Sequence, residues 1–153
     1  MYSKQEAASL KQSFWTAFGQ YMSLHLSAEG EKVNWINYKT GEKNIYFRMN
    51  ADNKTASVGI EIAHPSIDIQ HLYFEQFEQL KALLNEALNE EWIWQTNVRD
   101  ETGRQICRIY TFTEGVNIFK KDDWPEIISF LKPRIIALDE FWVSAKYVFE
   151  ALR

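Results

Sequence analysis

Side chains that can do chemistry are concentrated in residues 59–71, GIEIAHPSIDIQH, which include Glu61, His64, Asp68 and His71. Carboxylates and imidazoles are the groups that hold metal ions and transfer protons. Pro65 interrupts the segment, because an alternating strand pattern ends there and a helical pattern begins after it. We therefore expect these side chains to diverge, and the sequence predicts no metal site and no cofactor.

Glu61 is the one acid in this segment that suggests catalysis. The predicted order of the first elements, α-β-β-β-α-β, is also that of the restriction-endonuclease-like nuclease core, which has an acid on the second strand and Glu/Asp-x-Lys on the third. Here the third strand reads Glu61-Ile62-Ala63, so alanine replaces the lysine, and the second strand, NIYFRMN, has no carboxylate. A Mg²⁺ site normally needs more than one carboxylate or phosphate oxygen. A degenerate nuclease centred on Glu61 is thus an alternative, and no catalytic residue is assigned.

Length and composition are those of one globular domain, which we expect to span residues 1–153. The chain is 46% hydrophobic and 25% charged, and its net charge of −4 gives no general attraction to nucleic-acid phosphates. A local basic patch remains compatible with that charge. A single cysteine, Cys107, cannot form an internal disulfide, and no signal peptide or membrane-spanning run is evident. These features predict a cytoplasmic protein that does not bind membranes.

The spacing of apolar residues changes several times along the chain. A capping box of Ser3 and Glu6, followed by apolar residues three and four apart, predicts a helix over about residues 4–25. Alternating patterns then predict strands in KVNWINY, NIYFRMN and TASVGIEIAH, joined by the turns KTGE and ADNK. A second helix is expected from Ser66 to Leu88, followed by a hairpin of EWIWQTNV and RQICRIYTF and a short edge strand in VNIF.

The last helix begins at DDWPE, with an aspartate cap and Pro125 in its first turn. Its apolar residues, from Ile128 to Leu152, alternate spacings of three and four, which is the pattern of a heptad seam. Such a seam either forms a homodimer interface or packs on the sheet of its own chain, and both remain open. Pro133 removes a backbone donor, so we expect a kink or a break there.

The predicted fold class is α+β, with a largely antiparallel sheet of about five strands. About three long helices accompany it, in the order α-β-β-β-α-β-β-α. Placing Asp52 and Asn53 at the tip of the ADNK hairpin puts Phe47 opposite Val58 on an apolar face. The other face is mixed in character, as in a sheet that is covered on one side.

The mixed face is the candidate binding surface. It carries Tyr46, Arg48 and Glu61, and Trp35 is expected on the neighbouring strand. Aromatic and charged side chains on a sheet can stack bases or hold a peptide. Ile93, or else Trp92 or Trp94, would join them depending on the register, which remains open. The alternative is that helices cover these rings.

Three segments together resemble a known family: NWINYKTGEKNIYFRMNADNKTASVGIEIAH, YFEQFEQLKALLNEALNEEWIWQ and DDWPEIISFLKPRIIALDEFWVSAKYVFEAL. The family is an uncharacterised bacterial domain of unknown function, of the short stand-alone type found in Bacteroidetes. It also occurs C-terminal to restriction-endonuclease-like nuclease domains. The resemblance implies a bacterial protein in a nucleic-acid or genome-defence context. Together with the residue patterns it predicts a non-catalytic binding or interaction module whose partner the sequence does not identify.

Overall fold

The computed structural model describes residues 2–153 and has the predicted α+β architecture. The helices are α1 Lys4–Met22, α2 Ile67–Gln79, α3 Lys81–Leu88 and α4 Trp124–Glu150, the last preceded by a 3₁₀ turn at Lys121–Asp123. The strands are β1 Ile45–Ala51, β2 Thr55–Ile62, β3 Ile93–Arg99 and β4 Gln105–Glu114. They form one 4-stranded sheet in the order β1-β2-β4-β3, and every neighbouring pair is antiparallel.

The two faces of the sheet have different environments. On one face, α2 and α4 pack over alternating apolar side chains, and the core includes Phe47, Val58, Ile60 and Ile109. On the other face most side chains are exposed or half-exposed. The structure therefore has the one-sided burial that the alternating strand patterns predicted.

The prediction of a strand at KVNWINY is wrong. Residues 33–38 form an irregular turn in which the Asn34 side-chain oxygen accepts hydrogen bonds from the backbone N–H groups of Ile36 (3.1 Å) and Asn37 (3.0 Å). This Asx-type turn competes with strand pairing. Trp35 is only 3% exposed and donates its indole N–H to the His25 carbonyl at 3.1 Å. The sheet consequently has one strand fewer than expected.

The expected edge strand at VNIF is also absent. Val116 and Ile118 are buried as the alternation suggested, but Asn117 turns the chain between them. Its side-chain oxygen accepts a hydrogen bond from the N–H of Phe119 at 2.9 Å. The segment therefore packs against the core without joining the sheet.

The helices depart from expectation at two positions. The single helix predicted from Ser66 to Leu88 is two helices, because the chain changes direction at Leu80 (φ −97°, ψ 9°). The element order is consequently α-β-β-α-α-β-β-α, with four helices. The break expected at Pro133 does not occur, since α4 continues through it.

The apolar seam of α4 is used within the chain itself. Six of its residues are at most 2% exposed: Leu131, Ile135, Leu138, Trp142, Ala145 and Phe149. They contact the core formed with the sheet and the other helices. The seam from Leu131 to Phe149 therefore packs within its own chain, and a homodimer through the helix from Ile128 to Leu152 stays a prediction.

The β1–β2 hairpin differs from the predicted register by two residues. Asn53 and Lys54 occupy its tip, because the Asp52 N–H donates to the Thr55 carbonyl at 2.9 Å. Phe47 consequently pairs with Ile60. A shift of two residues leaves every side chain on its predicted face, since side chains alternate with period two.

A buried polar cluster attaches the long loop of residues 23–44 to α4. Asp139 accepts hydrogen bonds from the Tyr38 hydroxyl at 2.5 Å and the Ala28 N–H at 2.7 Å. Trp142 donates its indole N–H to the Thr40 carbonyl at 2.6 Å. Burial, reinforced by Asp139, raises the pKa of Tyr38 above its ordinary value. We call Tyr38, Thr40, Asp139 and Trp142 the loop anchor.

Candidate recognition site

The uncovered face of the sheet presents its side chains in rows that run across the strands. The first row contains Tyr46, Glu61, Arg108 and Gln95. The second contains Arg48, Gly59, Tyr110 and Ile93. The third contains Asn50, Ser57 and Phe112. We call these three rows the open face.

Arg48 contacts both an aromatic ring and a carboxylate on the open face. Its guanidinium carbon lies 4.4 Å from the centroid of the Tyr46 ring, and its Nε lies 3.6 Å from a carboxylate oxygen of Glu61. A guanidinium over a tyrosine ring is held by cation–π attraction and keeps its N–H groups available at the edge. Arg48 is therefore placed to contact a ligand without losing its protein neighbours.

Arg108 repeats this arrangement on the other side of Glu61. Its guanidinium carbon lies 4.1 Å from the Tyr110 ring centroid, and its Nε donates to the Gln95 side-chain oxygen at 2.9 Å. The Tyr110 ring stacks in turn with Phe112, at 6.1 Å between centroids and an interplanar angle of 22°. Two arginine–tyrosine pairs thus flank one glutamate.

Gly59 occupies the position between Arg48 and Tyr110 in the second row. A Cβ atom there would lie 2.5 Å from the Tyr110 Cβ and 2.7 Å from the Ile109 carbonyl oxygen. Any other residue would force β2 and β4 apart. Glycine therefore allows the close approach of the two strands and leaves the centre of the open face free of a side chain.

Glu61 is held by one long ion pair on the open face. Its side chain is 23% exposed, and its carboxylate oxygen lies 3.6 Å from the Arg48 Nε, which is longer than a normal hydrogen bond. Burial and the nearby Asp100 charge raise the pKa of Glu61, and the charges of Arg48 and Arg108 oppose that increase. A half-buried carboxylate with a perturbed pKa beside a cleft is typical of a functional site.

The turn between β3 and β4 forms one wall of a cleft beside Glu61. A bulge in β3, with Asn97 at a positive φ of 56°, shifts the register between Gln95 and Val98. Such bulges bend and twist a strand. The resulting cleft has a volume of about 360 Å³ and is lined by Arg48, Asn50, Glu61, Arg99, Asp100, Glu101, Thr102, Ile106 and Arg108. Ile106, only 1% exposed, contributes an apolar surface.

The β3–β4 turn is held by its own hydrogen bonds. The Asp100 side chain accepts from the Thr102 hydroxyl at 2.7 Å and from the N–H groups of Thr102 (2.9 Å) and Arg104 (3.0 Å). These bonds, led by that of the Thr102 hydroxyl, hold the pKa of Asp100 below its ordinary value. Arg104 also donates to the Ala63 carbonyl, which attaches the turn to the end of β2. The cleft wall is therefore a preformed element.

The structure brings together three of the four predicted binding residues. Tyr46, Arg48 and Glu61 share the open face, whereas Trp35 lies in the core and contributes nothing to this surface. On β3, the residue that lies on the open face beside Tyr110 is Ile93. Trp92 is buried and the half-buried Trp94 packs against Phe74, so the register selects Ile93 among the alternatives that were left open.

Sequence reasoning missed Arg108, Tyr110 and Gln95. Alternation in RQICRIYTF already places Arg108, Tyr110 and Phe112 on one side of a strand. It does not reveal that β4 is the central neighbour of β2, which requires the long-range pairing of Glu61 with Arg108. The signal was present, but the partner strand was unknown.

The neighbours of Glu61 bear on the nuclease alternative. Arg48 lies 3.6 Å from Glu61, the charges of Asp100 and Arg108 also act on this carboxylate, and Ala63 uses its carbonyl to accept from Arg104. Within residues 2–153, no group of three or more His, Cys, Asp or Glu side chains is placed to hold a metal ion. His71 instead lies with its Nε2 atom 3.1 Å from the Asn97 side-chain oxygen. The described residues thus place an arginine, and no lysine, beside Glu61.

Comparison with known proteins gives a family for most of the chain. In the part of the chain that the structure describes, no helix is both long enough and apolar enough to cross a bilayer. No curated protein and no solved structure is significantly similar to the chain. A family model described as a domain of unknown function, DUF4268, matches residues 10–146. The chain therefore belongs to the DUF4268 family.

Proposed function

We propose that residues 1–153 form one non-catalytic recognition domain that binds single-stranded nucleic acid on the open face. Its setting would be the cytoplasm of a bacterium, in a nucleic-acid or genome-defence process. The observation that carries the proposal is the pair of arginine–tyrosine contacts at 4.4 and 4.1 Å on the face that the helices leave free. Unstacked bases are bound by this combination of aromatic rings and guanidinium planes.

The local charge supports this proposal better than the overall charge does. The chain carries a net charge of −4, yet three of its six arginines, Arg48, Arg99 and Arg108, line the cleft and balance the three carboxylates there. A fourth, Arg104, is fixed beside the cleft by its bond to Ala63. These guanidiniums can contact phosphates although the molecule as a whole is acidic, because distant charges are screened over about 8–10 Å at physiological salt.

A labelled single-stranded oligonucleotide of mixed sequence, followed by fluorescence anisotropy, tests the proposal. The wild-type chain should bind it, and the affinity should fall as salt is increased, because phosphate contacts release counterions. Arg48→Ala should weaken binding by about 10-fold, since stacking and charge contacts of this kind contribute about 1–3 kcal/mol each.

Lys146→Ala is the matched control. Lys146 also lies over a tyrosine ring, Tyr147 at 5.4 Å, and beside a carboxylate, Glu29 at 3.1 Å, but on the outer surface of the molecule. The Lys146→Ala variant removes the same charge as Arg48→Ala, but from α4, which packs on the other face of the sheet. Its affinity for the oligonucleotide should therefore equal that of the wild type. Equal losses in both variants, or no binding at protein concentrations of about 10⁻⁴ M, would contradict the proposal.

The degenerate nuclease centred on Glu61 predicts a different result. It requires plasmid nicking in the presence of Mg²⁺ or Mn²⁺ that disappears in Glu61→Gln. Cationic neighbours at Glu61 oppose metal binding, so we expect no nicking with either ion. Nicking that depends on both the metal and Glu61 would replace the recognition proposal by the enzymatic one.

A further inference from the structure

The cleft beside Glu61 combines features that restrict what it can hold. It is about 360 Å³ in volume, within the range of small-ligand pockets. The apolar Ile106 and the acceptor Glu61 lie on the sheet, and the turn from Arg99 to Thr102 forms the wall. This space is large enough for one flat heterocycle between the sheet and the turn.

The charged side chains that line the cleft disfavour two simple classes of ligand. Three of them are cations, Arg48, Arg99 and Arg108, and three are carboxylates, Glu61, Asp100 and Glu101. A lone anion would meet the carboxylates, and a lone cation such as a peptide arginine or lysine would meet the guanidiniums. The cleft therefore suits a neutral group that offers both donors and acceptors.

The two guanidiniums also favour a planar ligand. The Arg48 and Arg108 guanidiniums are held over tyrosine rings and present flat surfaces together with free N–H groups. Gln95 accepts from the Nε of Arg108 at 2.9 Å, which fixes that guanidinium in place. A nucleobase has the flat shape and the mixed edge that these groups can bind.

Guanine matches the order of donors and acceptors best. Its N1–H and N2–H groups form a pair of adjacent donors that a carboxylate can accept together, while O6 and N7 accept from an arginine. Adenine offers an acceptor at N1 in place of the first donor, so it would face Glu61 with a lone pair. Uracil has a single N–H and cytosine a single amino group on that edge. Only guanine offers the adjacent pair.

We propose that the cleft formed by Glu61, Arg48, Arg108 and the β3–β4 turn is a guanine-binding subsite. It would select guanine within a single strand, the Glu61 carboxylate accepting from N1–H and N2–H. This inference rests on the proposed nucleic-acid function and adds base specificity to it. The strand on either side of the guanine would lie along the remaining rows of the open face.

Three oligothymidines that differ in one central base test the subsite. The central base is guanine, adenine or hypoxanthine, the base of inosine, which lacks the N2 amino group of guanine. The affinity for each oligonucleotide is measured by fluorescence anisotropy. Guanine should bind about 10-fold more tightly than adenine, with inosine in between, because one bidentate base contact gives discrimination of this order.

The Glu61→Gln variant distinguishes recognition of the guanine base from electrostatic repulsion between Glu61 and the phosphates. An amide oxygen next to an amide N–H₂ cannot accept from both guanine donors, so the guanine preference should disappear while the adenine oligonucleotide binds at least as well. If Glu61 only repelled phosphates, all three oligonucleotides would gain affinity equally, which would overturn the subsite. Circular dichroism melting of the variant verifies that it is folded.

The outcomes distinguish the two proposals. Equal affinity of the wild type for all three central bases would overturn the guanine subsite and leave nucleic-acid binding intact. No binding of any oligonucleotide would remove both. Guanosine monophosphate should compete only at concentrations well above that of the oligonucleotide. Competition at equal concentration would make the free nucleotide the ligand and would overturn the assignment to a strand.

Discussion

The loop anchor and the open face are built from similar side chains with opposite consequences. In the loop anchor, Asp139 is 2% exposed and accepts hydrogen bonds from Tyr38 and Ala28. On the open face, the Glu61 side chain is 23% exposed, and its carboxylate makes only a long contact with the Arg48 Nε, at 3.6 Å. A buried carboxylate whose acceptor positions are filled by its own chain stabilises the fold. One with unfilled positions is available to a ligand.

This comparison predicts that changes in the two regions affect different measurements. Changes in the loop anchor should lower the free energy of unfolding, because they remove hydrogen bonds that attach the loop to the buried Asp139 and Trp142. Changes on the open face should lower binding and leave stability almost unchanged, because exposed ion pairs contribute little. The following variants test that separation, beginning with the largest effect.

Asp139→Ala should be the most damaging change. It leaves the Tyr38 hydroxyl and the Ala28 N–H without an acceptor, so we expect the free energy of unfolding to fall by about 3 kcal/mol. Urea denaturation measures this loss. Glu140→Ala, an exposed carboxylate at the next position, is the control and should change stability by about 0.5 kcal/mol or less. Equal losses of stability in Asp139→Ala and Glu140→Ala would show that the loop anchor does not stabilise the fold.

Tyr38→Phe should cost about 2 kcal/mol, because Asp139 loses one of its two donors. It should also alter the alkaline limb of the stability profile. The pKa of Tyr38 is raised in the fold, so the unfolded chain releases this proton first and stability falls as the pH rises through about 10. The variant should show a smaller fall above that pH than the wild type. Unfolding measured at pH 8 and at higher pH tests this, and identical pH dependence would contradict it.

Arg108→Ala should lower the affinity for nucleic acid much more than it lowers the free energy of unfolding. It removes the cation–π contact with Tyr110 and the bond to Gln95, both on the half-exposed surface. The free energy of unfolding should change by about 1 kcal/mol or less. Affinity for a single-stranded oligonucleotide should fall about 10-fold. A large loss of stability with unchanged affinity would reverse the roles assigned to the two regions.

Glu61→Gln should have the smallest effect on stability, and in the opposite direction. The pKa of Glu61 is raised in the fold, so its contribution to stability is greatest at low pH and is lost as the pH rises through the raised value. At neutral pH the variant should therefore be slightly more stable than the wild type. The difference should vanish below the ordinary glutamate pKa of about 4.3. Thermal melting at both pH values measures it, and a destabilised variant at neutral pH would contradict the account.

Local patterns predicted the elements that depend on neighbouring residues. The capping box of Ser3 and Glu6 is present, and both faces of the β1–β2 hairpin are as expected despite the shifted register. Period-two alternation also placed Tyr46, Arg48 and Glu61 on one side, because alternation is independent of a two-residue slip. This much of the candidate site follows from sequence alone.

Features that depend on distant contacts were not predictable. Trp35 reads as a strand residue, but its indole bonds to His25 and its ring packs in the core. The sequence around Leu80 contains no glycine or proline that would predict a helix break there. The break allows α3 to pack on α4. Arg108 joins the site only because β4 pairs with β2 over a long separation in sequence. Tertiary packing decides each of these positions.

The most direct test of the central claim is to map the binding surface by nuclear magnetic resonance. Amide signals of the ¹⁵N-labelled chain are followed during titration with a single-stranded oligonucleotide that contains one guanine. We expect shifts concentrated in β1, β2, β4 and the turn from Arg99 to Arg104, with the loop anchor unaffected. Shifts confined to α4 and to the loop of residues 23–44, or no shifts at saturating oligonucleotide, would contradict it.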